Sequence, residues 1–185
     1  DKNFYPTSVM NTAYEILLLW VARMIMFGIY LTSKVPFEIA LINGVLRDET
    51  GAMMSKSKGN GVNPNEAIVK YGADAVRMAL VCGRDNGNDL MISKIQMEQR
   101  IKGYRNFSNK LWNIARFVLS AQCSEKSAQK NKDDLEILKK LDIVIKSVTD
   151  KFDKMRLGEA AEELYQFIWH EFADVYIEKT KDRKE

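Results

Sequence analysis

Apolar positions crowd together near the start of the chain and later thin into helical spacing. Ile16 to Leu31 (ILLLWVARMIMFGIYL) is the most apolar stretch. Tyr5 to Asn11 before it reads as a short strand, so a helix is predicted from about Thr12 to Leu31. Apolar side chains on nearly every face predict a helix packed between a sheet and a second layer. The stretch has only 16 residues with Arg23 at its centre, against the roughly 20 apolar residues a membrane span needs. It therefore reads as a buried helix of a soluble protein. Val35-Pro36-Phe37 ends it, and Glu38 to Arg47 predicts a buried strand. Asp48-Glu49-Thr50-Gly51 is a turn in which Gly51 can take positive φ, returning Ala52 to Met54 as a hairpin partner. A polar loop follows from Ser55 to Asn65. Strand, helix, strand is a fragment of an α/β layer rather than a closed domain.

Beyond Glu66 only helices are predicted. Met97, Ile101, Tyr104, Leu111, Ala115 and Val118 keep a 3–4 spacing, interrupted at Ser108. The polar run Gln122 to Asp134 separates this helix from the next, where Asp133 and Glu136 suggest a capping box. Leu135, Leu138, Leu141, Ile145, Val148 and Phe152 mark one face, and Leu157, Ala161, Leu164, Ile168, Phe172 and Val175 another. Three such helices predict a bundle, followed by a frayed charged tail from Lys179.

Charge changes this picture locally. The net charge is +3, from 28 basic and 25 acidic residues, with nothing in excess before Leu90. The excess lies beyond it, where Lys94, Arg100, Lys102, Arg105, Lys110 and Arg116 face only Glu98. Such a stripe fits a local polyanion contact, and it also fits a solvated helix face with acids on its neighbours. Cys82 and Cys123 form no disulfide framework and have no ligand spacing, so a reducing compartment and no metal site are expected. The one histidine, His170, excludes two-histidine chemistry.

The string Met53-Met54-Ser55-Lys56-Ser57-Lys58-Gly59-Asn60 suits an anion: two ammonium groups, two hydroxyls, and a Gly-Asn end that permits unusual backbone angles. Such a loop could clamp a pyrophosphate as charge builds on it. A plain solvated loop has the same composition. MMSKSKGN resembles the KMSKS signature of class I aminoacyl-tRNA synthetases. FYPTSVMNTAYEILLLWVARMIMFGIYLTSKVPF before it, and GYRNFSNKLWNIARFVL and LYQFIWHEFADVYIEKTK after it, are similar in order and spacing to the valyl-tRNA synthetases.

The resemblance implies the C-terminal part of a Rossmann-like catalytic domain with a stem-contact region over 1–92, then a truncated α-helical anticodon-binding domain over 93–185. It implies activation of valine with ATP, with Mg2+ expected, and transfer to tRNA by a cytoplasmic, monomeric enzyme. The alternatives are a non-catalytic tRNA-binding module or a piece of the related isoleucine and leucine enzymes. Lys56 matches the signature's second lysine and is expected at the ATP phosphates. Ser55 and Ser57 match its serines, and Lys58 is expected to share the work because Met53 stands where the first lysine usually does. Ile16 and Trp20 match positions lining the amino-acid pocket, although i and i+4 spacing also suits plain core packing. Ala13 and Glu15 stand where the family usually has Gly and Asp beside the ATP ribose, so these contacts are less secure. The six basic residues become candidate tRNA phosphate contacts, while Tyr104, Phe107 and Trp112 fit core packing better than base stacking. The family also needs a His-x-Gly-His element, which a chain with one histidine lacks. An incomplete, inactive piece of a longer enzyme is therefore expected.

Overall fold

The structure, a computed structural model, describes residues 4–120 and 131–181. The chain divides into two compact units, Asp1–Gly61 with Asp85–Lys94, and Val62–Arg84 with Ile95–Glu185.

In the first unit β1 (Thr7–Ala13) runs parallel to β2 (Phe37–Asn43), with Thr7 opposite Phe37 and Ala13 opposite Asn43. Parallel neighbours need a crossover. A 3₁₀ turn (Tyr14–Ile16), a π-helical stretch (Leu17–Val21) and α1 (Ala22–Thr32) supply it. Ser33 ends the helix in the left-handed region at φ 56° and donates its N–H to the Ile29 carbonyl. By length and composition alone, Tyr14–Thr32 could cross a membrane. Phe37 pairs with Thr7 only a few residues later, however, so the helix lies back along its own sheet as the crossover of a β-α-β unit.

Two expectations of burial fail here. Leu18 is 80% exposed and Tyr30 84%, and Val21 is the buried residue of the crossover. The physical reason is that two strands cover one side of a helix, and no second layer covers the other among the described residues. The predicted buried strand over Glu38 to Arg47 is likewise two strands, β2 and β3 (Leu46–Arg47), and only Phe37 of β2 is buried. Gly44 marks the break: a Cβ there would lie 1.7 Å from the Asn88 carbonyl oxygen. β3 pairs in parallel with β4 (Leu90–Met91), a strand lying where only helices were expected. Two residues carry no alternation to read. The hairpin forms as expected, with Gly51 at φ 80°, an Arg47–Met53 bridge, and the Met54 N–H bonded to the Leu46 carbonyl.

The second unit holds α2 (Pro64–Tyr71), α3 (Ala73–Val81), α4 (Lys94–Ser120, from Ile95 onward), α5 (Lys132–Asp153), α6 (Leu157–Gln166), a π-helical continuation (Phe167–Ile177) and α7 (Glu178–Lys181). α4 is continuous through Ser108, whose hydroxyl bonds back to the Tyr104 carbonyl and leaves the helix intact. The capping box of α5 is Asn131 with Asp134, two residues ahead of the predicted pair. Asn131 can donate and accept locally outside the helix, which Asp133 inside the first turn cannot. Residues 121–130, with Cys123 and most of the predicted polar separator, lie outside the described residues, as do 182–185 of the tail.

Small residues bring the helices close. Ala75, Ala79 and Ala160 are buried, and the Gly83 N–H bonds to the Gly158 carbonyl at 2.9 Å. Met97, Ile101 and Phe107 bury one side of α4, where Phe107 and Tyr104 meet Tyr165 at ring-centre distances of 4.8 and 5.7 Å. The predicted apolar faces are covered only in part: Leu111, Val118, Leu135, Ile145 and Phe152 remain exposed. Trp112, expected in the core, is 69% exposed. At about 100° per residue its position lies about 140° round α4 from buried Phe107.

Cys82 is fully buried and donates to Glu162 Oε2, and burial pushes its thiol up to about 11. A thiol reagent at about pH 8 is expected to leave Cys82 unlabelled until the protein is unfolded, because thiolate and access are both needed. Peptide mapping of the labelled chain checks this. Labelling of native Cys82 would show that α3 and α6 open readily.

Candidate functional site

The hairpin builds the signature loop from its neck outward. Asp48 opens the turn: its Oδ1 accepts the Thr50 N–H, the Thr50 hydroxyl and the Ala52 N–H. Its Oδ2 accepts from Asn60 Nδ2 at 2.6 Å. Hydrogen bonds from Thr50 and Asn60 hold the carboxyl down at about 2. A depressed carboxyl adds support above its unfolded pKa of about 3.9. That support disappears only as pH falls towards 2, so the turn is ionised throughout the neutral range. Asn60 also accepts the Ser55 N–H through Oδ1 at 2.9 Å and reaches the Met53 carbonyl.

Between these ties the loop tip is exposed. The Ser55 and Ser57 hydroxyls lie 3.2 Å apart, Ser55 Oγ accepts the Lys58 N–H, and the Gly59 N–H returns to the Lys56 carbonyl with Gly59 at φ 63°. Lys56 and Lys58 are exposed, and neither ammonium has an acidic partner among the described residues. Lys94 Nζ donates to the Gly59 carbonyl at 2.6 Å, so this member of the basic stripe sits on the loop.

Arg47 ties the hairpin to the end of β1. Its guanidinium reaches Asp89 Oδ2 at 2.5 Å, the Gly51 carbonyl at 3.0 Å and the Tyr14 hydroxyl at 2.6 Å. The Tyr14 hydroxyl donates to Asp89 Oδ2, and Asp89 Oδ1 accepts the Val45 N–H. These bonds hold the Asp89 carboxyl below its ordinary range, the Val45 N–H first and Arg47 next. Tyr14, Arg47, Asp48, Asn60 and Asp89 were missed in the sequence. Asp48 and Gly51 gave a turn signal, but the 42-residue separation of Arg47 and Asp89 gave none.

Ala13 closes β1 with an extended backbone, and Glu15 follows it, exposed. Ile16 is 45% exposed and Trp20 51%, with the Arg23 guanidinium 5.5 Å above the Trp20 ring. Core packing within this chain therefore does not explain either residue.

The basic helix separates into two sets. Arg100 donates to the Ala79 and Cys82 carbonyls and lies over Tyr104, and Lys110 pairs with Asp174 above the Trp169 ring. Lys94, Arg100 and Lys110 are thus engaged inside the protein. Lys102, Arg105 and Arg116 are exposed and have no acidic partner among the described residues. At about 100° per residue, Lys102, Arg105, Asn109, Trp112 and Arg116 fall within an arc of about 80°. They make one open cationic face with an aromatic ring in it. Among the described residues no group of three or more His, Cys, Asp or Glu side chains converges on a metal site.

Residues 1–93 match the family described as tRNA synthetases class I (I, L, M and V), and residues 134–185 match the anticodon-binding domain of tRNA ligase. A valine–tRNA ligase of Clostridium tetani is 45% identical over 96% of this chain and 20% of its own length. One from Carboxydothermus hydrogenoformans is 46% identical over 98% of this chain and 21% of its own. The chain thus spans about a fifth of the length of these relatives. Mycobacterium tuberculosis methionyl-tRNA synthetase in complex with methionyl-adenylate superposes with TM-score 0.73 at 21% identity, covering 100% of this chain and 37% of that one. An Agrobacterium radiobacter LeuRS–tRNA–LeuAMS complex gives TM-score 0.69 at 20% identity, covering 96% of this chain and 23% of that one. These two likenesses support the fold, a Rossmann-like part followed by a helical region. With half of its residues matching the family and relatives similar over nearly all of its length, the chain belongs to the class I tRNA synthetases of the isoleucine, leucine, methionine and valine group.

Proposed function

We propose that this chain is part of a valine–tRNA ligase, contributing the pyrophosphate-side loop, part of the amino-acid pocket and a tRNA-binding helical region. The observation that carries the reading is the loop itself, with two ammonium groups that have no acidic partner among the described residues and two hydroxyls on a tip whose neck is tied down. Valine's carboxylate would attack the ATP α-phosphorus. A bond to phosphorus forms as the bond to the leaving pyrophosphate breaks. Lys56 would neutralise the charge growing on that pyrophosphate, with Lys58 adding field and Ser55 and Ser57 donating to phosphate oxygens. A preformed cationic loop does this without reorganising at the moment of reaction.

Ala13 and Glu15 would lie beside the ribose, and Ile16 with Trp20 would line one wall of the valine pocket, which suits their exposure in this chain. Mg2+ would arrive on the ATP phosphates as part of the substrate. The carboxylate nearest the loop, Asp48, has both oxygens engaged by Thr50, Ala52 and Asn60, so no step is assigned to a protein-bound metal. The functional division at 92/93 is supported by the family match ending at residue 93, although compactness groups 62–84 with the helices. A cytoplasmic setting goes with translation.

A second reading, a tRNA-binding module without catalysis, is favoured by the open face of α4. Phosphate contacts from Lys102, Arg105 and Arg116 fix register, and Trp112 offers a plane for stacking. Replacing those three basic residues with alanine is expected to weaken tRNA binding and to reduce the slope of log affinity against log salt by about 0.7–0.9 per lost contact. Alanine at Arg100 is expected to act through stability instead, because its guanidinium holds the end of α3. Affinity measured across a salt series separates the two. An unchanged slope in the triple variant would remove the face from RNA binding.

A further inference from the structure

We propose that Asn60, held by Asp48, is a positioning residue for Lys56. Its one carboxamide closes the neck of the signature loop and fixes where the loop's lysine is presented. This rests on the valine–tRNA ligase reading above and deepens it.

Asn60 Oδ1 accepts the Ser55 N–H at 2.9 Å, on the chain entering the loop. Its Nδ2 donates to the Met53 carbonyl at 3.3 Å and to Asp48 Oδ2 at 2.6 Å. The residue that leaves the loop therefore grips the two residues flanking Met54 on the way in. Asp48 cannot follow a moving Asn60, because its other oxygen is bonded by Thr50 and Ala52 within the turn. Residues 56–58 are exposed: the Ser57 hydroxyl meets Ser55 Oγ, and neither lysine ammonium has an acidic partner among the described residues. Lys56 thus departs from a fixed point one residue after Ser55, and the tip can close over phosphates without the neck shifting. A displacement of about 1 Å at a charged group costs up to about 10²-fold in rate, so a loose neck would be expensive for the chemistry and nearly silent in overall stability.

The chemistry also makes the pair reversible on paper. Asn60→Asp alone sets two carboxylates against each other. Combined with Asp48→Asn, the 48–60 contact is restored with its polarity exchanged: an amide at 48 donates to a carboxylate at 60, which still accepts the Ser55 N–H but no longer donates to the Met53 carbonyl. The test uses the full-length parent enzyme in three forms: unaltered, Asn60→Asp, and Asp48→Asn/Asn60→Asp. Two measurements are made, valine-dependent ATP–pyrophosphate exchange with separate KM values for ATP and valine, and amide hydrogen exchange across residues 53–60. Asn60→Asp is expected to lower kcat/KM for ATP by about 10- to 100-fold with KM for valine unchanged, and to raise amide exchange in the loop. The double variant is expected to recover a large part of both losses, short of the full value because the bond to the Met53 carbonyl stays lost.

Activity of Asn60→Asp within about threefold of unaltered enzyme would overturn the proposal, as would a double variant no better than the single one. If Asn60→Asp fails to fold, the double variant alone decides between recovery and loss. Absence of valine-dependent exchange in the unaltered enzyme would instead bring down the ligase reading, and this role with it.

Discussion

On the proposed valine–tRNA ligase reading, alanine in place of Lys56 in the longer enzyme is expected to lower valine-dependent ATP–pyrophosphate exchange by about 10²–10³-fold. That is the usual cost of deleting one preorganised donor aimed at charge that develops only in the transition state. The structure allows this loss to be read as catalytic. Lys56 is exposed on a loop tip, and its ammonium has no acidic partner among the described residues. Its removal should leave stability within about 0.5 kcal/mol, as for most surface substitutions. Equal melting temperatures with a large drop in exchange would place Lys56 on the phosphates. Lys58→Ala should cost less on the same reading, in which Lys58 adds field while Lys56 neutralises the leaving pyrophosphate. Exchange within about threefold of normal in Lys56→Ala would remove the residue from the mechanism.

Gly158→Ala is expected to produce a large loss of stability. A Cβ at Gly158 would lie 1.9 Å from the Arg84 carbonyl oxygen and 2.7 Å from the Arg84 nitrogen. Both are backbone atoms and cannot swing aside. The Gly83 N–H bonds to the Gly158 carbonyl, so separating the segments also breaks that bond and exposes buried Cys82 and Ala160. Overpacking of a core usually costs about 1–3 kcal/mol, and immovable backbone on the receiving side puts this case at or above about 3 kcal/mol. Gly103→Ala is the matched control. It lies inside α4 with nothing within 4 Å of the added Cβ, so replacing it should stabilise by about 0.5–1 kcal/mol through helix propensity. Urea unfolding followed by circular dichroism compares the two variants. A Gly158→Ala protein as stable as the parent would mean that α6 and the Arg84 turn do not pack as described.

Much of the candidate site was legible because its signals are local. Asp48 and Gly51 mark a turn wherever they stand in such a pattern, and the lysines and serines at 55–58 name their own chemistry. The parts that hold the site were not legible. Arg47 meets Asp89 across 42 positions, and Asn60 reads in one dimension as an ordinary loop residue. The basic helix shows the same limit. Six cations in a row looked alike until burial set Arg100 and Lys110 against carbonyls and Asp174, leaving Lys102, Arg105 and Arg116 in solvent. A finer reading of the helix would have found that face, since Lys102, Arg105, Asn109, Trp112 and Arg116 already keep core spacing with residues that are not core.

Taken by itself, the sequence determined the order of strand, helix, strand, hairpin and helices, the family, and the cationic loop. Periodicity, turn chemistry and short motifs are properties of neighbouring residues, and they survive without coordinates. Only the tertiary structure decided which apolar faces are covered, where β4 pairs, and which charges are spent inside the protein. Those outcomes depend on contacts between segments far apart in the chain. The crossover helix is the sharpest case: its composition demanded burial, and two strands could cover only one of its sides.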